Sequence, residues 1–217
     1  MALVQNAESA NSGLSVSLSK LLQATNSTQV EEVIQLLEKE SGEWRLVGDR
    51  NNYATIQMPS LPGAALIERV TNAIDASLEL AAQSDKQLTL NCQSPREFVE
   101  KAFGVKGGYL TSIASKADRE KLVEEAGVVI DLRDGDSMLM PTIDVRDHGI
   151  GMSREEFPDT ILSLNRNNKI KKFYLMGRFG QGGSGTLRFS KYTVIVSRRQ
   201  YSGGIKDDEV AFTIVRL

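Results

Sequence analysis

Three separated stretches of the chain carry residue types that could act together on one ligand. The first is Glu68-x-x-x-Asn72-x-x-Asp75, inside a run from Pro62 to about Ala82 that reads as one long helix opened by its proline. At about 100° per residue these side chains share one narrow stripe, with Leu66, Val70, Ala73, Ser77 and Ala81 on the opposite, core-facing side. A merely wet helix face is usually built from Lys, Glu, Gln and Arg, because Asn and Asp compete with the backbone for hydrogen bonds. Oxygen ligands one turn apart suit Mg²⁺, which takes a few protein oxygens, several waters and substrate phosphates, and a carboxylate one turn earlier could orient or deprotonate water. An amphipathic helix with a solvated polar face is the competing reading.

The second stretch is Asp147-His148-Gly149-Ile150-Gly151-Met152, directly after an apolar run that reads as a strand. The glycines let the chain turn tightly against a flat ligand, and an ionised aspartate, being acceptor-only, can receive a hydrogen bond from an exocyclic amine such as adenine N6. Guanine would present another acceptor there. A plain turn with Asp147 in an Asx role is the alternative, and His148 is given no catalytic part. The third stretch is Gly177-Arg178-Phe179-Gly180-Gln181-Gly182-Gly183-Ser184-Gly185 ahead of Thr186-Leu187-Arg188-Phe189. Its backbone amides could converge on an anion at a helix N-terminus, with Asn165 to Lys172, Lys169 among them, supplying counter-charge from a flexible lid. It lacks the Gly-Lys-Ser/Thr ending of a P-loop and the strand context of a dinucleotide fingerprint. A flexible linker and a solvated basic run are the bland readings of these two segments.

The elements that must position these residues can be read in outline. An Ala/Asn/Ser-rich opening predicts a flexible N-terminal arm over 1–17 and a single domain over 18–217. Ser27-Thr28-Gln29 caps a helix carrying Val30, Val33, Ile34, Leu36 and Leu37, and Glu43 to Ile56 predicts two short strands. Residues 83 to 126 hold a polar linker, a short helix after Ser94-Pro95, a glycine break at Gly104 to Gly108 and a charged helix near Lys116 to Glu125. Val128 to Leu132 and Met138 to Val145 predict a hairpin turning at Arg133 to Asp136. Ser153 with Glu156 predicts a capping box opening a helix to about Leu164, and Tyr192 to Arg198 and Val210 to Leu217 predict strands around Ser202-Gly203-Gly204.

Composition sets the outer limits. With 217 residues, 41% hydrophobic and 25% charged, the chain can bury one sizeable core. A formal charge of −2 provides no general field for nucleic acid or an anionic membrane, so an anionic ligand must be held by local donors. One cysteine and one histidine exclude an internal disulfide and the common zinc cages. No apolar run is long enough to span a bilayer and the N-terminus lacks a signal core, so a cytoplasmic protein without a membrane partner is expected.

In order and spacing, Glu68-x-x-x-Asn72-Ala73-x-Asp75-Ala76, Asp147-x-Gly149-x-Gly151 and Gly177-x-Phe179-Gly180-x-Gly182 resemble motifs I, II and III of the GHKL ATPases, the superfamily of DNA gyrase B, the large heat-shock chaperones, histidine kinases and MutL. The resemblance covers roughly Pro62 to Leu217, makes the stretch of about 83–127 an insert, and implies a Bergerat fold: an α/β (α+β) two-layer sandwich with helices on one face of a mixed, mostly antiparallel sheet and ATP under a lid. It implies Glu68 as general base on water, Asn72 as Mg²⁺ ligand, Asp75 as support for that shell, Asp147 as adenine acceptor, and Gly177, Gly180 and Gly182 as lid contacts. Gly149, Gly151, Met152, Asn165, Lys169, Phe179, Gln181, Gly183 and Ser184 complete the implied nucleotide contacts. Histidine kinases keep the Asn but not the paired Glu and Asp, which points to the ATP-hydrolysing branches.

The Gly-Ser-Gly ending of the third motif departs from both the chaperone and gyrase patterns. The family's Thr-bearing fourth motif is missing, with Thr213 a poor substitute, as is the Lys or Arg contributed by a following domain. The expectation is therefore an N-terminal fragment of a larger protein that binds and hydrolyses Mg-ATP to drive conformational change or homodimerisation, with weak hydrolysis alone. The alternative is an ATP-dependent switch without significant hydrolysis.

Overall fold

The computed structural model describes residues 2–4, 11–40, 42–47, 61–158, 160, 172–177, 185–200 and 209–216. It is an α+β structure in which helices and two small antiparallel sheets alternate along the chain.

The first sheet has the order β2-β1-β6-β5, built from β1 (Ala2–Val4), β2 (Glu43–Arg45), β5 (Tyr192–Arg198) and β6 (Val210–Arg216). All pairings are antiparallel, and Leu3 lies between Trp44 and Ile214. Successive residues of β6 face opposite sides, as the two-residue period of a strand requires. Ile214 and Phe212, with Val194 and Tyr192 of β5, pack on the helix pair α1 (Asn11–Gln23) and α2 (Ser27–Lys39) through Leu21, Val30, Val33, Ile34 and Leu37. Ala211, Val215 and Ile195 pack the other way, on Phe157 and Leu187. The expectation of helices on one face is thus amended: short 3₁₀ turns at Arg154–Glu156 and Gly185–Phe189 bring Phe157 and Leu187 to the second face.

The opening of the chain also departs from expectation. The residues expected to form an arm to about Ser17 contain β1 and the first half of α1, and Ser17 is only 2% exposed. Leu14 and Leu21, seven residues apart, lie on one helical face and pack with α2, a pattern masked by the polar composition around them. The cap of α2 is Asn26, whose side chain accepts from the Gln29 N–H at 3.0 Å, one residue earlier than the predicted cap.

Helix α3 (Pro62–Ser84) is followed by α4 (Lys86–Leu90), α5 (Pro95–Phe103) and α6 (Lys116–Ala126), so residues 83–127 are largely helical. Leu78 and Ala82 of α3 meet Cys92, Phe98 and Leu175 in a separate apolar cluster that clamps this stretch to α3. Strands β3 (Val129–Ser137) and β4 (Met140–Arg146) form the second sheet. Their turn lies at Met138 and Leu139, 99% and 94% exposed, and not at Arg133 to Asp136. The register shifts between Arg133 and Ser137, and the Asp136 carboxylate accepts from the Ser27 N–H at 2.7 Å, so Asp-Gly-Asp forms an irregularity docked on α2. The Ser153/Glu156 capping box is present, opening a 3₁₀ turn. Ile56, the Leu164 helix end and the Ser202-Gly203-Gly204 turn lie outside the described residues. Among the described residues no helix is long and apolar enough to cross a membrane.

Candidate functional site

The site is assembled on α3. The amphipathic division expected from its sequence holds only in part, because the fully buried positions are Ala65, Ala73, Asp75, Leu78 and Ala82. Asp75 lies inside the protein at 1% exposure. Its carboxylate accepts from the Met176 N–H at 2.7 Å and the Gly177 N–H at 3.0 Å. Both oxygens are thereby engaged, so Asp75 acts as a buried clamp on the chain entering the glycine-rich loop and not as a surface ligand. One turn further on, Glu79 pairs with Lys172.

Gly185, at the other end of the loop, opens the 3₁₀ turn whose Thr186 hydroxyl accepts from the Arg69 Nε–H at 2.8 Å. Helix α3 therefore holds both flanks of the loop, through Asp75 on one side and Arg69 on the other. Asn165, Lys169, Phe179, Gly180, Gln181, Gly182, Gly183 and Ser184 lie outside the described residues.

The Asp147 turn is fixed to the same helix. Asp147 Oδ1 accepts from the Gly149 N–H at 2.9 Å, so the Asx turn weighed as an alternative is present, and the second carboxylate oxygen is left for another donor. The Ile150 N–H donates to the Ala76 carbonyl at 3.0 Å, and the Ile150 carbonyl accepts from the Gln200 N–H at 2.8 Å. The Met152 N–H donates to Ser197 Oγ at 2.8 Å and Arg199 Nη1 donates to the Gly151 carbonyl at 2.9 Å. The turn is thus held between α3 and the end of β5. Its glycines are required by that packing: a β-carbon at Gly151, where φ is +62°, would lie 1.9 Å from the Arg198 carbonyl oxygen. The missing β-carbons thus point at neighbouring chain, while both glycines also line the cavity beside α3.

Glu68, Asn72, Asp147, Gly149, Gly151, Met152 and Gly177 all line one broad, open cavity of about 3050 Å³ that runs from α1 and α2 past α3, β3, β4 and β5 to the 3₁₀ turn at Gly185–Phe189. Thr213 is buried in β6 and does not line it. Loss of hydration pushes the Asp147 carboxyl above the ordinary aspartate value, opposed by the Gly149 N–H and by His148. Glu68 Oε2 is buried and accepts no hydrogen bond, a costly condition that a bound water or other donor would relieve.

Asn72 lines the same cavity, one helical turn after Glu68 on α3. Among the described residues no three His, Cys, Asp or Glu side chains converge as a metal cage. The oxygens present fit Mg²⁺ only in the form that keeps most of its shell as water and phosphate.

Arg69 and Thr186 escaped the sequence reading. Burial pushes the Arg69 guanidinium down to about 10, with Glu68 acting in the opposite direction, so it remains charged at neutral pH. The available signal was a cation beside Glu68 in the middle of the motif helix, where its burial cannot be read from local pattern. Compared with protein-family models, curated proteins and solved structures, the chain finds no match in any of the three.

Proposed function

We propose that this chain is a Mg-dependent ATP-binding domain of GHKL type, with a Bergerat-like arrangement of α3, the Asp147 turn and the glycine-rich loop, and that Glu68 makes it an ATPase. The observation that carries the reading is the common cavity of Glu68, Asn72 and Asp147, with the Asp147 turn hydrogen-bonded to α3 at Ala76.

In this reading the outer oxygen of Asp147 accepts from the adenine amine and disfavours a base that presents another acceptor there. The phosphates extend along α3 towards its N-terminal half, where Asn72 would hold Mg²⁺. The metal would supply charge neutralisation on the phosphate oxygens. Glu68, with one oxygen buried and unpartnered, orients and deprotonates the water that attacks the terminal phosphate. Asp75 fixes the chain at Met176 and Gly177, where it enters the glycine-rich segment that this reading assigns to the phosphates. Nucleotide binding through a loop held at both ends provides the route to conformational change and to a nucleotide-dependent homodimer.

Isothermal titration with ATP, GTP and a non-hydrolysable ATP analogue, with and without Mg²⁺, tests the reading on wild type and Asp147→Asn. ATP binding that requires Mg²⁺ and is lost in Asp147→Asn is expected. Equal binding of GTP, or indifference to Mg²⁺, overturns it.

A further inference from the structure

We propose that Arg69 reads the terminal phosphate of the bound nucleotide and transmits its presence to the downstream flank of the glycine-rich loop through Thr186. The inference rests on the nucleotide reading above and adds a residue that stands at an unspecified position of the first motif.

Three observations carry it. First, Arg69 lines the common cavity, yet its Nη2 is buried without a hydrogen-bond partner, while Nε is committed to Thr186 Oγ1 at 2.8 Å. A guanidinium offers five donors in a rigid fork, so one edge can remain on the threonine while another takes an oxyanion. Second, the neighbouring carboxylate does not satisfy it: Glu68 Oε2 is also without a hydrogen bond, so consecutive residues of α3 leave one donor and one acceptor unused among the described residues. Turned towards the cavity that both residues line, the guanidinium would take a phosphate oxygen and the carboxylate a water, completing both.

Third, position along α3 selects the phosphate end. The adenine-accepting turn docks at Ala76, and Arg69 lies seven residues nearer the helix N-terminus, about 10 Å at 1.5 Å per residue. That displacement separates base from phosphates in an extended nucleotide. Because Thr186 immediately follows Gly185, a phosphate that draws on the guanidinium bears directly on the chain leaving the loop.

The test is titration of ATP and ADP into wild type, Arg69→Gln, Arg69→Lys and Asp147→Asn, with hydrogen exchange of residues 185–190 measured in the same samples. Loss of a charge-assisted contact to the terminal phosphate should weaken ATP roughly 10- to 100-fold in Arg69→Gln and leave ADP within about threefold. ATP should slow exchange at 185–190 in wild type more than ADP does, and this difference should vanish in Arg69→Gln. Arg69→Lys keeps the charge without the fork and should retain partial ATP preference but no added protection; it also carries the test if Arg69→Gln does not fold. Wild type that binds both nucleotides, with the Arg69 variants losing both equally or losing neither, overturns this inference and leaves the nucleotide reading standing. Wild type that binds neither overturns both.

Discussion

Gly149 rests on Ala76: a β-carbon at Gly149 would sit 2.5 Å from the Ala76 β-carbon and 2.4 Å from its carbonyl carbon. No side chain fits in that space, and the obstruction includes helix backbone, which cannot rotate away as a side chain can. Gly149→Ala must therefore push the Asp147 turn off α3 and weaken the neighbouring bond from Ile150 N–H to the Ala76 carbonyl. Overpacking of this kind costs about 1–3 kcal/mol. Thermal denaturation should show the loss, and titration should show ATP binding reduced more than the stability change accounts for, because Asp147 moves with the turn.

Glu68 should separate chemistry from binding. Its replacement by Gln keeps the size of the side chain and a hydrogen-bonding head but removes the base, so phosphate release should fall by about 10²- to 10⁴-fold while the dissociation constant for ATP changes little. Single-turnover assay with direct titration distinguishes the two. An unchanged rate would remove Glu68 from the reaction and leave a nucleotide-dependent switch as the surviving function.

Asp75 illustrates what the sequence displayed and what it concealed. Its place on α3 was legible from Pro62, the apolar period and the spacing to Glu68 and Asn72. Its work was not, because its partners Met176 and Gly177 stand 101 and 102 residues away and offer backbone amides, which carry no residue-type signature. The glycines of the Asp147 turn were legible as a tight passage, since glycine is a strong local signal; the obstacles they pass, Ala76 and Arg198, are long-range facts. Strand β1 was missed because three residues are too few for alternation to register, and its place between β2 and β6 is set by partners at the far end of the chain. Arg69 was passed over because a cation on a helix is normally solvated, and only tertiary burial makes this one informative.

Asp75→Asn should loosen the loop without emptying the site. The amide keeps one acceptor where the carboxylate has two, so one of the bonds to Met176 N–H and Gly177 N–H loses its partner and the other loses its charge. Hydrogen bonds to a charged group contribute about 1.5–3 kcal/mol each, so a fall in melting temperature of several degrees is expected. Hydrogen exchange at those two amides should accelerate well beyond that at Cys92 and Phe98 in the neighbouring core. Equal acceleration throughout would mean that Asp75 supports the whole fold and not the loop.

Asp147 should show stability and binding responding in opposite directions to one substitution. Its carboxyl is raised above the ordinary aspartate value, first by lost hydration, so between that ordinary value and the raised one the folded protein holds more protons than the unfolded chain. Stability therefore declines as pH rises through this window, by a small amount because the carboxylate is exposed to screening solvent. Nucleotide binding runs the other way, because only the ionised form is a pure acceptor for the adenine amine; ATP affinity should fall on acidification at a pH above that of an unperturbed aspartate. Asp147→Asn keeps an oxygen for the Gly149 N–H while removing the charge. At neutral pH it should be no less stable than wild type, should lose the stability change across the window, and should lose ATP. Denaturation and titration over the same pH series provide the check: a variant less stable than wild type at neutral pH would show that the charge serves the fold, and retained ATP binding would remove Asp147 from base recognition.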